Sequence, residues 1–143
     1  MQLEENLYDQ VVAFSTEGDA LMESSKYEEA IDSYHRALEL LPEPKSSWEA
    51  FTWLSVAIGD VYFETDDYES ALIRFKTAQK GAEALDNPFI YLRIGQCAYE
   101  LANKQQAIDN LLRAYMLDGI DIFEDEDVKY INYLKSSISL TIE

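Results

Sequence analysis

Small and large apolar residues follow one another in the same order in three segments of the chain. In each segment a glycine is followed at a fixed interval by an alanine, in the pairs Gly18 and Ala30, Gly59 and Ala71, and Gly95 and Ala107. Each alanine is followed, at the same two spacings, by a large apolar residue and a second alanine: Tyr34 and Ala37, Phe75 and Ala78, Leu111 and Ala114. Such a repeat predicts similar helical units stacked one after another.

The repeated pattern predicts two antiparallel helices in each segment. We expect helices near residues 5–24, 27–41, 47–65, 68–84, 88–102 and 104–117, and a last helix near 126–140. Glycine inside a helix costs about 0.5–1 kcal/mol relative to alanine, so three glycines at equivalent places imply close helix packing. We expect each glycine to lie against the alanine of its segment. Tyr34, Phe75 and Leu111 are predicted to fill the space between neighbouring helix pairs.

The junction after the first segment is longer than the next one. Gly59 follows Gly18 by 41 residues, whereas Gly95 follows Gly59 by 36. Pro42 is predicted to end the second helix, because proline cannot continue it. Ser46 or Ser47 is the predicted N-cap of the third helix, and the extra residues are predicted to lengthen that helix.

These segments resemble the tetratricopeptide repeat, a helix pair of 34 residues. The resemblance rests on the glycines and on the runs that contain the first alanine, such as Lys26–Ala30 and Asp67–Ala71. It implies an all-α fold, a short right-handed α-solenoid of three helix pairs with a C-terminal capping helix. On this template residues 1–143 form a single domain, with repeats at about 11–44, 52–85 and 88–119 and the capping helix at about 126–140.

An acidic segment and an amphipathic stretch follow the third repeat. Residues 118–127 include six carboxylates, but not at the alternating spacing of an EF-hand loop, so we expect no metal there. The next apolar residues are Val128, Ile131, Tyr133, Leu134 and Ile138. A terminal helix that covers the apolar face of the last repeat is what a short solenoid requires.

The charge of the chain narrows the choice of partners. Asp and Glu number 28 against 11 Lys and Arg, giving a net charge of -17. This excess argues against binding nucleic acid or anionic lipid, which require Lys and Arg, and favours a basic protein partner. Glu4 and Glu5 stand where a secretory signal would be basic, and no apolar run could span a bilayer. We therefore expect a soluble, cytoplasmic protein of bacterial origin with no membrane partner.

Residues for catalysis or metal binding are scarce. One histidine, His35, and one cysteine, Cys97, cannot build an ordinary zinc site. We interpret His35 as an outward-facing helix residue and Cys97 as a buried structural thiol. Glycine-rich phosphate loops and nucleophile elbows are absent from the sequence. The expected protein is not an enzyme and holds no cofactor.

The resemblance implies that the first helix of each pair lines a concave binding groove. The groove positions of the family fall here on Val12, Ser15, Asp19, Met22 and Glu23 in the first repeat, on Trp53, Val56, Asp60, Phe63 and Glu64 in the second, and on Phe89, Leu92, Gln96, Tyr99 and Glu100 in the third. Glutamate recurs at the last position and an aromatic or methionine precedes it. Such a groove suits a cationic partner and is opposite in charge to the family members that clamp the acidic C-termini of chaperones.

Within protein-binding modules, the sequence is similar to small acidic repeat proteins that act as immunity proteins beside bacterial toxins. That resemblance implies an inhibitor of a basic toxin domain, and a nuclease is one class of such domains. The alternative is a secretion chaperone or assembly adaptor that holds a client segment in the groove. A further alternative is a mimic of nucleic acid. The negative charge favours this alternative as well, but such a mimic would bind the nucleic-acid-binding surface of its target.

Overall fold

The computed structural model describes residues 3–138, and within this range the chain is α-helical without a strand. The chain divides into two compact units, Met1–Ala84 and Leu85–Glu143. The first unit contains α1 (Glu5–Glu23), α2 (Tyr27–Glu39), α3 (Glu49–Glu64) and α4 (Tyr68–Gln79). The second contains α5 (Pro88–Glu100), α6 (Lys104–Asp118) and α7 (Val128–Ser137). The predictions of an all-α fold and of three helix pairs with a C-terminal helix are confirmed; residues 139–140 of the predicted last helix lie outside the described residues.

One turn joins the two helices of each pair, and the three turns have the same backbone geometry. Ser25, Asp66 and Ala102 adopt positive φ values of 60°, 62° and 62°. In each turn the next amide donates back into the preceding helix, as from Lys26 N to Leu21 O at 2.8 Å. This is the Schellman motif, in which a left-handed residue satisfies the last carbonyls of a helix. The repeat is therefore present in the turns as well as in the helices.

Each helical glycine packs against the large residue of its own pair. An ideal Cβ built on Gly18 would lie 2.6 Å from Tyr34 Cε1, one built on Gly59 would lie 2.7 Å from Phe75 Cε1, and one built on Gly95 would lie 2.8 Å from Leu111 Cδ2. The prediction of close helix packing at these glycines is confirmed. The atom nearest to each built Cβ belongs to the large side chain of the second helix, rather than to its alanine.

The first junction differs from its prediction. Its extra residues form a loop with a short 3₁₀ turn, Lys45–Ser47, and α3 has 16 residues against 19 in α1. The N-cap of α3 is Trp48, while Ser47 Oγ donates to Pro44 O at 2.8 Å. The prediction of a serine cap was therefore wrong, whereas α3 is three residues longer than α5. Lys45 Nζ donates to Leu41 O at 2.7 Å and so covers the end of α2.

The fourth helix also ends earlier than predicted, at Gln79 instead of near residue 84. Thr52 Oγ1 donates to Ala82 O at 2.8 Å, and Ala82 N donates to Ser46 O at 3.0 Å. A Cβ on Gly81 would collide with Thr52 Oγ1. These tertiary hydrogen bonds hold residues 80–84 against α3, and a continuing helix could not make them.

The second unit is closed by the predicted terminal helix. Ile131 and Leu134 of α7 are buried in one cluster with Leu92 of α5 and Leu111 of α6. Val128 is 67% exposed and does not join this core, contrary to the amphipathic pattern. The capping role predicted for the C-terminal helix is confirmed.

Candidate functional site

Two of the predicted acidic positions of the first unit, Asp19 and Asp60, act on the hydroxyl of Tyr34. Tyr34 is buried on α2, and its Oη donates to Asp19 Oδ1 of α1 at 2.5 Å. Burial, the hydrogen bond to Asp19 and the charges of Asp19 and Asp60 all raise the pKa of this phenol. Asp19 of α1 therefore bonds this hydroxyl directly, whereas Asp60 of α3 acts on it through its charge. Part of the acidic pattern stabilises the fold, since Asp19 accepts an internal hydrogen bond.

The other predicted positions of the first unit lie along α1 and α3. Glu23 and Glu64 are exposed at the ends of these helices, and Trp53 is 37% exposed. Phe63 is half-buried and packs edge-to-face on Tyr68, with 5.6 Å between the ring centroids. The remaining positions are half-buried: Val12, Ser15, Met22 and Val56. This surface combines apolar side chains with carboxylates at its helix ends.

In the second unit the terminal helix occupies two of the predicted positions. Lys129 Nζ of α7 donates to Glu100 Oε2 at 3.0 Å, and this hydrogen bond raises the pKa of Lys129. Tyr99 packs edge-to-face on Tyr130 and Tyr133 of α7, and the ammonium of Lys129 lies 6.0 Å from the centre of the Tyr99 ring. The carboxylate of this repeat therefore binds a cation of the chain itself, which lies near the Tyr99 ring and, at 5.2 Å, nearer to the centre of the Tyr130 ring of α7.

The remaining positions of the second unit are buried or bonded internally. Leu92 is 1% exposed and Gln96 is fully buried. Glu126 Oε1 accepts hydrogen bonds from Gln96 Nε2 at 2.7 Å and from Arg93 Nη1 at 2.6 Å. The guanidinium of Arg93 lies 4.5 Å from the centre of the Phe89 ring. Leu92 and Gln96 thus serve the interior of this unit and are not accessible to a partner. The repeat positions taken from the family could not predict these internal contacts, because the C-terminal segment that makes them is not part of a repeat.

The acidic segment before α7 has local structural roles. Asp127 caps α7 by accepting from Lys129 N at 2.9 Å, and Glu126 anchors the segment to α5. These contacts account for two of its carboxylates, and Asp127 follows the preference of helix N-termini for acidic residues.

Cys97 and His35, the two residues considered above for metal binding, occupy structural positions. Cys97 is fully buried, which confirms the prediction of a buried thiol. His35 Nε2 lies 3.4 Å from Arg74 Nη2 of α4. Partial burial, then the charge of Arg74, lowers the pKa of His35. The imidazole is therefore neutral near pH 7.

A cleft that the repeat positions do not predict lies between the first turns of α1 and α3. Tyr8, Trp48 and Trp53 line it together with Glu5 and Glu49. Trp48 and Tyr8 lie outside the repeat positions used for the groove, and no spacing rule connects them. The clustering of aromatics in the segment 48–53 was the only available signal.

Among residues 3–138, no helix is both long enough and apolar enough to cross a membrane.

The chain was compared with protein families, curated proteins and solved structures. Residues 11–44 match the family model of the tetratricopeptide repeat. No curated protein matches the chain in sequence. The fold is similar to the first tetratricopeptide domain of Spaghetti (RPAP3) bound to the HSP90 peptide SRMEEVD, at 19% identity over 90% of this chain and 92% of that one, with a TM-score of 0.67.

Two further structures are similar over nearly their whole length. The type III secretion chaperone SycD of Yersinia enterocolitica, in complex with a peptide of the translocator YopD, is 14% identical over 90% of this chain and 92% of that one, with a TM-score of 0.71. The tetratricopeptide domain of Arabidopsis OM64 is 16% identical over 92% of this chain and 99% of that one, with a TM-score of 0.72. Residues 11–44 thus match a tetratricopeptide repeat, and the chain as a whole has the fold of tetratricopeptide-repeat domains.

Proposed function

We propose that this chain is a non-catalytic protein-binding module whose partner presents basic side chains. The observation that carries the proposal is the contact of Lys129 with Glu100 and the Tyr99 ring, at 3.0 Å and 6.0 Å. A cation paired with a carboxylate and placed near an aromatic face gains from both interactions. In this repeat a lysine of the chain itself supplies that cation.

The same repeat positions carry similar chemistry in the first unit. Phe63 and Glu64 on α3 correspond to Tyr99 and Glu100, and Met22 with Glu23 on α1 corresponds to them as well. Glu23 and Glu64 are exposed, and the charge of Asp60 adds to the negative field nearby. Just as Lys129 pairs with Glu100, a lysine or arginine of a partner would pair with Glu23 and Glu64.

Two structural neighbours are complexes with peptides, of HSP90 and of YopD. Binding of a segment along the first helices is therefore the mode that we propose here. The HSP90 peptide SRMEEVD is acidic at its end. The acidic side chains of α1 and α3 in this chain would repel such a peptide, which is why the proposed partner is basic.

In its finer form, the proposal is an immunity protein that binds and neutralises a basic toxin domain in the cytoplasm. A net charge of -17 accelerates association with a basic domain and disfavours acidic competitors. A nuclease is the class of toxin whose own surface must be basic, because it holds a polyanion.

A second candidate is a secretion chaperone that holds an extended client. The observation that favours it is the similarity to SycD in complex with a translocator peptide over nine-tenths of both chains. A chaperone would bind an unfolded segment, whereas an immunity protein would bind one folded domain. The two candidates therefore differ in the state of the partner.

Affinity capture from a lysate of the source cells, followed by mass spectrometry, tests the proposal. We expect the tagged full-length protein to retain a basic partner at low salt. Retention of one folded toxin-like domain at high salt supports the immunity protein, and retention of unfolded secreted proteins supports the chaperone. Retention of acidic proteins alone would contradict both.

A charge-reversal variant locates the contact. Asp60→Lys with Glu64→Lys is expected to weaken binding of the captured partner by about 100-fold or more if both side chains are covered. Glu28→Lys with Glu29→Lys on α2 changes the net charge by the same amount and is the matched control. Equal weakening in both variants would mean that only overall charge matters, and would exclude a direct contact at Asp60 and Glu64.

A further inference from the structure

The cleft between the first turns of α1 and α3 combines three aromatic side chains with two carboxylates. Tyr8, Trp48 and Trp53 line it, and Glu5 and Glu49 stand on its walls. We name it the aromatic cleft. Its volume is about 410 Å³, which lies within the range of about 300–1,000 Å³ typical of ligand pockets. The cleft lies wholly within the first unit.

The aromatic walls are accessible to a ligand. Tyr8 is 50% exposed and Trp53 is 37% exposed, although both are large rings that proteins usually bury. Trp48 is half-buried and held in place, because its Nε1 donates to Pro42 O at 2.8 Å. With its indole N–H bonded elsewhere, the Trp48 side chain offers the cleft its apolar ring.

The charges around the cleft select the sign of its ligand. Glu5 and Glu49 lie in the first turns of α1 and α3, where they already balance the positive helix ends. A third carboxyl group lies beside Glu49, since a hydrogen bond with Glu49 raises the pKa of Glu83. The charge of Glu49 disfavours a second charge on Glu83, and a cation bound beside them would relieve this repulsion.

We propose that the aromatic cleft is a binding site for an arginine side chain of a partner protein. A guanidinium is flat and weakly hydrated, stacks on aromatic faces and forms paired hydrogen bonds with a carboxylate. An ammonium pairs with a carboxylate as a point charge and stacks less well, so lysine is the weaker ligand. The inference rests on the proposed function, because a partner supplies the arginine, and it adds a site that shares only Trp53 with the predicted groove positions.

Tryptophan fluorescence of the full-length protein tests this site directly. The chain has two tryptophans, and both Trp48 and Trp53 line the cleft. We expect N-acetyl-argininamide to cause a saturable change with a dissociation constant on the order of 1 mM, as stacking and pairing on one side chain allow. N-acetyl-citrullinamide, which has nearly the same shape but no charge, is expected to bind at least tenfold more weakly.

Three results would overturn the proposal. They are equal binding of the citrulline derivative, equal or tighter binding of N-acetyl-lysinamide, and tighter binding of N-acetyl-glutamate amide, which the helix N-termini would attract. Glu49→Gln is expected to weaken argininamide binding about tenfold. Glu43→Gln, an exposed carboxylate outside the cleft, is the control for general charge and should bind as the parent does.

Conservative changes keep this test independent of folding. Glu5→Gln is a second variant at an exposed position, and an unchanged circular dichroism spectrum confirms its fold. Failure of argininamide to bind, while the lysate partner is retained, would overturn this inference alone. Argininamide binding without any retained protein would overturn the proposed function instead.

Discussion

The hydroxyl of Tyr34 donates a hydrogen bond to Asp19 Oδ1 at 2.5 Å, while the ring of the same residue fills the space beside Gly18. One side chain thus joins α2 to α1 through packing and through a polar contact. The arrangement requires glycine at position 18, because a Cβ there would lie 2.6 Å from the ring. The ring cannot move away without losing the bond to Asp19.

Gly18→Ala is expected to lower the free energy of unfolding by about 1–3 kcal/mol, the usual cost of inserting a methyl group into a packed core. Helix propensity alone predicts the opposite sign, since alanine is favoured by up to about 1 kcal/mol. Urea denaturation of the variant decides between them. Ala20→Gly, at an exposed site of α1, is the control for propensity and should destabilise by about 1 kcal/mol.

Ala102→Gly is expected to stabilise the protein by about 1 kcal/mol. Ala102 has a φ of 62° in the turn between α5 and α6, and this left-handed conformation is energetically unfavourable for a residue with a Cβ. Ala102 is exposed, so removing its methyl group leaves no cavity. A higher urea midpoint would support this account. A lower midpoint would mean that the entropy of the unfolded glycine chain dominates.

His35 is expected to make stability depend on pH below neutrality. Burial and Arg74 lower the pKa of His35 in the folded state, so the unfolded chain binds the proton first as the pH falls. The free energy of unfolding should therefore decrease as the pH falls through about 6.5, and level off below the folded pKa. Urea midpoints at about pH 7.5 and pH 5.5 measure this change.

His35→Gln is the comparison for that measurement, because it removes the chain's single histidine and leaves the carboxylates unchanged. We expect the parent to lose more stability than the variant over the same pH interval. Identical pH profiles for the two proteins would exclude His35 as the source.

Glu126→Ala is expected to destabilise the second unit by about 2–4 kcal/mol, as removal of one partner from a buried ion pair does. Arg93 and Glu126 have side chains only 15% and 16% exposed, and the buried amide of Gln96 also loses its acceptor. Hydrogen exchange should quicken first in α7. Glu124→Ala removes an exposed carboxylate from the same segment and should change stability by less than about 0.5 kcal/mol.

The helix pairs could be predicted from the sequence because their signal is local and occurs three times. Gly18, Gly59 and Gly95 mark the first helices, and the predicted ends of most helices lie within about two residues of the observed ones. The left-handed turns had no comparable signal, because Ser25, Asp66 and Ala102 are not glycines. Only their common place in the repeat connects them.

The candidate site was predictable only in part. The register placed Asp19, Asp60, Glu23 and Glu64 on the first helices, but it could not tell which carboxylates bond internally. In the third repeat, Glu100 stands at the position of Glu23 and Glu64, and Gln96 stands at the position of Asp19 and Asp60. Glu100 is bonded by Lys129, and Gln96 is bonded to Glu126. These two partners lie about thirty residues further along the chain, outside any repeat.

The sequence by itself determined the helix pairs, the acidic charge and the closing helix of the second unit, because periodicity and composition are properties of local sequence. Tertiary structure decided which carboxylates hold the fold together, where the long first junction turns, and that Tyr8, Trp48 and Trp53 share one cleft. The physical reason is that these outcomes depend on contacts between residues far apart in the chain. Such contacts form only once the helices have packed.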